Sequence, residues 1–262
     1  MDELLVALFD SDARAREGAR LLHESHAEGS LSVYALAIVA RTPNGAGLTA
    51  REPVSPGKGA AAPAVAAAVG VLLSLLGGPV SAILRTVRSG LVSTVSEIYR
   101  AGLNAWFLER IAHDLQPGGA AVIAEVEEER PPMLDARIAA LGGHAFRHHL
   151  EGPLAVARIE REVAALRDEV AKLRAQLCNG QDAATLKELS RKRAMELQQA
   201  KRRAGALADA LRREGVAKTA VLRAQMEGLD GGASAAIARR AATVRAKFEA
   251  RASSLDQVAE RG

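Results

Sequence analysis

The side chains that could do chemistry in this chain are few, and their spacing rarely suits it. Histidines stand at His23, His26, His113, His144, His148 and His149. His148 and His149 are adjacent, so on an extended chain they point to opposite sides. No cysteine or carboxylate pair completes a metal site at ligand spacing from any of them. Gly57-Lys58-Gly59 invites comparison with a phosphate loop, in which glycines let backbone amides cradle a phosphate that the lysine also reaches. The earlier glycine of that motif is replaced by Glu52, and no Ser or Thr follows Lys58, so the comparison fails. No Gly-x-Ser-x-Gly elbow is present. Glu127-Glu128-Glu129 has two readings, a cation site or an acidic strand end in solvent. The expectation is therefore a chain with no catalytic residue, no metal, no cofactor and no small-molecule substrate.

Basic clusters offer a different chemistry. Arg191, Lys192 and Arg193, then Lys201, Arg202 and Arg203, then Arg212 and Arg213 recur about ten residues apart on a predicted helix. They are candidate phosphate contacts. Residues 1–150 carry 13 Lys+Arg against 16 Asp+Glu, whereas residues 151–262 carry 22 against 15. This asymmetry suits an arm lying on nucleic acid or on an acidic membrane, and equally a solvated helix face.

The elements that would position these groups read as follows. Residues 4–9 are an apolar run stopped by Asp10-Ser11-Asp12, hence a buried strand. Ser11 or Asp12 caps a helix that ends at Gly29. Residues 33–41 form a second strand, Thr42-Pro43-Asn44-Gly45 a turn, and residues 47–53 a returning strand. A helix ending near Leu115, a strand over residues 120–127, a helix over 133–141 and an edge strand over 144–149 complete a small sheet domain.

Between these elements lies an insert. Residues 60–84 contain no charge, and Gly77-Gly78-Pro79 divides the segment into two arms. Its length meets the criterion for a transmembrane helix. A single crossing, however, would put the strands before and after it on opposite sides of the bilayer. Two crossings would bury Arg85, Arg88, Glu97 and Arg100 at several kcal/mol each. The segment therefore reads as a helical hairpin that lies on a membrane or packs in protein. Its surface would comprise Ala64, Val65, Val69, Leu72, Leu73, Leu76, Val80 and Ile83. Leu84, Val87, Leu91, Val95, Ile98 and Leu103 give the second arm one apolar stripe beside its basic residues.

From residue 159 a heptad seam begins. Ile159, Val163, Leu166, Val170, Leu173 and Leu177 follow steps of four and three with charges between, the pattern of a coiled coil. Asn179-Gly180 and Asp230-Gly231-Gly232 interrupt the helices that follow, and Gly205, Gly215 and Gly228 weaken the stripe. Two breaks allow the arm to fold back on itself, and an intermolecular coiled coil is the other outcome. Aromatic residues make up only 3% of the chain, which favours helices over a large pocketed fold. The lone Cys178 forms no intramolecular disulfide, and the acidic start carries no basic signal region, so the expected location is the cytoplasm, with the inner face of the cell membrane as a site of attachment.

This order of elements resembles the bacterial domain of unknown function 1269 family, whose members are labelled membrane or general-stress proteins. The resemblance covers about residues 1–177. It rests on the opening strand with its acidic stop, on residues 34–41 leading into a turn, and on the Gly/Ala-rich insert. It rests also on His113-Asp114-Leu115-Gln116-Pro117-Gly118-Gly119-Ala120 before an apolar strand. The resemblance implies an α+β fold, with a ferredoxin-like domain over residues 1–150 and an apolar hairpin at 57–103, and it carries over no catalytic residues. Residues 151–262 are then a basic helical coiled-coil arm. The function this implies is a non-catalytic membrane-associated or self-assembling structural or adaptor protein, a homo-oligomer or the binder of a protein partner through its coiled coil. The alternative is a nucleic-acid-associated protein that binds through the arm.

Overall fold

A computed structural model describes residues 3–50, 63–76, 103–128, 131–150, 152–178, 183–227, 229 and 231–260. The fold is mixed α+β, and the chain divides into two compact units. The first is Met1–Glu151 with Val216–Val244; the second is Gly152–Gly215 with Arg245–Gly262.

In the first unit, strands β1 (Glu3–Phe9), β2 (Leu31–Arg41), β3 (Leu48–Ala50), β4 (Ala120–Glu128) and β5 (His144–His149) form an antiparallel sheet in the order β3-β2-β4-β1-β5. β1 is buried along its whole length because it is central and both its faces are covered. Helix α1 (Asp12–Ala27) connects β1 to β2, and α4 (Pro131–Ala140) connects β4 to β5. Ser11 caps α1, its hydroxyl accepting from the Arg14 amide at 3.4 Å. Gly29 ends it with φ of 77°, a conformation that costs a residue with a Cβ about 1–2 kcal/mol. Leu5, Ala7 and Phe9 of β1, Val33, Leu36 and Ile38 of β2 and Val122, Ala124 and Val126 of β4 point to one face. There they pack with Ala15, Ala19 and Leu22 of α1 and with Leu134 and Ile138 of α4.

The alternate residues make the second face. Helix α2 (Pro63–Leu75) packs on β2, β3 and β4 and against α3 (Ala105–Asp114). α3 lies by β5, where Phe107 stacks on His148 at 5.0 Å and Arg110 stands 5.4 Å from the Phe146 ring. Ala64, Val65, Val69, Leu72 and Leu73 of α2 are buried, and Leu76 just beyond it is half-buried. Five of the eight residues of the expected hairpin surface are thus buried in this unit. Val80, Ile83, the second arm up to Leu103, Gly57-Lys58-Gly59 and Glu129 lie outside the described residues, and Leu103 is buried. Among the described residues no helix is long and apolar enough to cross a membrane.

The second unit is built from α5 (Gly152–Cys178), the first part of α6 (Ala183–Met226) and the last part of α7 (Gly231–Glu260). The six expected seam residues lie on α5. Val163 and Val170 are buried, and Ile159, Leu166, Leu173 and Leu177 are half-buried. Arg203 pairs with Glu162 at 2.6 Å and Arg193 with Glu169 at 3.0 Å, so α5 and α6 run antiparallel. α6 buries Ala200, Ala204, Ala208 and Leu211, small side chains that let helices approach closely. It passes through Gly205 and Gly215 unbroken. A Cβ at Gly215 would stand 2.7 Å from the Phe248 Cβ of α7, so this glycine makes room for an aromatic ring.

The division differs from the expected one at residue 150. α6 and α7 each contribute to both units, and Val216–Val244 belongs with the sheet.

Candidate functional site

The densest group of buried polar side chains lies where residues 216–244 cover the second face of the sheet. The inward position after Ile123 on β4 is occupied by Glu125, which is 0% exposed, and Lys218 on α6 is 1% exposed. Lys218 Nζ stands 2.5 Å from Glu125 Oε1 and 5.0 Å from the centre of the Tyr34 ring. A β-bulge at Val33/Ala35 inserts Tyr34 into β2, and its hydroxyl donates to Glu127 Oε2 at 2.6 Å. The ammonium is thus held by a carboxylate and an aromatic face, with water excluded.

Beside this pair a second set of contacts fixes the same helices. Gln225 of α6 donates to the carbonyls of His26 and Leu31 at 2.6 and 2.8 Å. Its own carbonyl oxygen accepts from Ser32 Oγ at 2.9 Å. Arg240 of α7 donates to the same Ser32 oxygen at 2.6 Å. Ser32 therefore uses its hydroxyl both ways, between one helix and the other. His26 Nδ1 accepts from the Val33 amide at 3.1 Å. Burial, then the nearby His23 and Arg240, lowers its pKa from 6.5 to about 4, so the ring is neutral. These groups close on one another and hold the helices in register.

A third polar group is centred on β5. Arg147 of β5 pairs with Glu3 at 2.9 Å, with Asp135 at 2.7 Å and with Glu128. Burial raises the Glu128 carboxyl, and Arg147 partly counters that shift. A cleft of about 300 Å³ opens nearby, with Ser25, Glu28, Met133 and Arg137 on its walls. Arg137 donates to Ser25 Oγ at 2.9 Å and faces Glu28 at 3.7 Å.

The structure does not bring the histidines together as a site. His23 and His26 lie on α1, His113 on α3 beside Asp114 at 3.0 Å, and the other three on β5. Among the described residues no group of three His, Cys, Asp or Glu side chains could hold a metal ion. The acidic run is divided, with Glu127 on the Tyr34 hydroxyl and Glu128 on Arg147.

The eight candidate phosphate contacts fall into two sets. Arg193, Arg203 and Arg212 are tied into the bundle: Arg193 to Glu169 and Glu196, Arg203 to Glu162, and Arg212 to Asp256 and Glu249. Arg191, Lys192, Arg202 and Arg213 are exposed, and Lys201 is half-buried.

Sequence reasoning passed over Lys218, Glu125, Tyr34, Gln225, Ser32 and Arg240. The available signal was a lone charge at an apolar-patterned position, lysine on a helix and glutamate on a strand. Compared with protein-family models, curated proteins and solved structures, the chain has no match.

Proposed function

We propose that this is a non-catalytic structural or adaptor protein. In this reading the strand order is that of a ferredoxin-like domain, the apolar insert helix serves packing, and the helical unit, with its coiled-coil-like seam, is the part that associates with a protein partner or further copies of the chain. The observation that carries it is the sealed Lys218–Glu125 pair. Lys218, Gln225 and Arg240 are engaged in docking α6 and α7, helices that serve both units. Such contacts fix the placement of a helix that, held only by a smooth apolar face, could slide or rotate. The burial of Ala64, Val65, Val69, Leu72 and Leu73 favours packing of the insert over its insertion in lipid.

The test is mass measurement of the full chain by light scattering over a rising concentration series, beside co-sedimentation with liposomes. A mass of two or more chains supports association through the helices. Salt-resistant liposome binding would replace packing by membrane attachment. A single-chain mass throughout, with the protein left in the supernatant, overturns both the self-assembling and the membrane-associated forms of the reading.

A further inference from the structure

The sorting of the arginines on α6 assigns a surface. Arg191, Arg202 and Arg213 are exposed and stand eleven residues apart. Eleven residues are almost three whole turns, so successive members drift by only about 20° and rise by about 16 Å. They form a straight row along one side of the helix, with Lys187 in line before them and also exposed. The arginines that neighbour them in sequence, Arg193, Arg203 and Arg212, lie about 100–200° round the helix from the row and are paired with Glu169, Glu162 and Asp256. Each basic cluster thus supplies one arginine to an ion pair and one to the row. Glu188 and Asp209 share the exposed side, and the row stays net positive. The whole unit carries 18 Lys+Arg against 12 Asp+Glu.

We propose that this row binds the phosphate backbone of double-stranded nucleic acid without reading its sequence. Three features select that partner. A duplex carries about one charge per 1.7 Å of its axis, so a row of guanidiniums along it lies in a strong negative field that does not depend on sequence. The positions between the arginines on this side include Gln198, Ala206 and Asp209, with Met195 the one large apolar side chain, whereas a helix that lies in a membrane must insert a broad apolar face. The unit's one aromatic residue, Phe248, is buried, so it offers no ring on which single-stranded bases could stack.

The experiment is fluorescence anisotropy of a labelled DNA duplex with the full chain, at salt from about 50 to about 200 mM. The triple variant Arg191→Gln/Arg202→Gln/Arg213→Gln is compared with a control of equal charge change on exposed arginines of the other unit, Arg20→Gln/Arg223→Gln/Arg239→Gln. Circular dichroism verifies that both are folded. The row variant is expected to lower the slope of log affinity against log salt by about 2.7, the loss of three phosphate contacts, while the control stays near wild type. The proposal is overturned if wild type leaves the duplex unbound at low salt, if the control loses as much as the row variant, or if anionic vesicles bind and the duplex does not.

Discussion

α6 is one continuous helix that is held in two different ways. Up to Gly215 it is packed through Ala200, Ala204, Ala208 and Leu211, and its charges pair at the rim, where water screens them. From Val216 it is packed through Lys218, Thr219 and Gln225 as well as Val221 and Leu222, and there the charge is inside. The first arrangement is the economical one, since small apolar seams gain dispersion and burial with no desolvation of ions. The second removes an ammonium and a carboxylate from water, which their mutual attraction barely offsets. What it adds is uniqueness, because only one placement of the helix on the sheet puts Lys218 on Glu125 and Gln225 on the Leu31 carbonyl.

The largest effect that would sharpen this contrast comes from breaking the pair one side at a time. Lys218→Met leaves Glu125 buried without its cation, and Glu125→Leu strands the ammonium. Each is expected to cost about 3–5 kcal/mol in urea unfolding. The double variant restores most of that loss, since two apolar side chains of similar volume need no counterion. If the double variant is as unstable as the sum of the singles, the two side chains act independently and the register argument fails.

Acid supplies a smaller probe of the same junction. The folded pKa of His26, about 4, lies below its ordinary 6.5. Between those values the unfolded chain binds the proton and the folded chain does not, so stability falls as pH drops through this window. The groups around the ring are His23, Arg240, the Val33 amide and the Gln225 side chain on the His26 carbonyl. The full gap corresponds to at most about 3 kcal/mol, and solvent access to the half-buried ring reduces this to about 1–2 kcal/mol. Unfolding at neutral pH and at pH near 4 should therefore separate wild type from His26→Gln, whose amide oxygen can accept from Val33 without titrating. Equal pH dependence in the two proteins would remove His26 from the junction.

The same contrast explains what was legible in the sequence. β1, β2 and β4 could be read from apolar runs with turn residues at their ends, β5 from the Gly142-Gly143 break before it, and the helix α5 from its heptads, because each pattern is local. The course of residues 216–244 was not legible. Leu222 continues the apolar stripe of the preceding turns, and periodicity tells which side of a helix is apolar without telling what it meets. Only the partnership of Lys218 with Glu125, far apart in the chain, distinguishes the sheet from another helix. Gly215 misled in the opposite sense. Propensity marks it as a weak point of α6, yet the Phe248 ring requires it.

The smallest expected effect lies at the rim of the helical unit. Arg203 and Glu162 meet at 2.6 Å, as close as the buried pair, but with much of both side chains in water. An exposed pair of this kind contributes about 0.2–1 kcal/mol, and salt weakens it. Arg203→Gln should therefore lower stability by less than about 1 kcal/mol, with the difference from wild type vanishing at about 1 M salt. A loss as large as that from Lys218→Met would mean that α5 and α6 are held by charge as well as by the alanine and leucine seam. The distance between charges is nearly the same in the two places, so the disparity between the two substitutions measures burial.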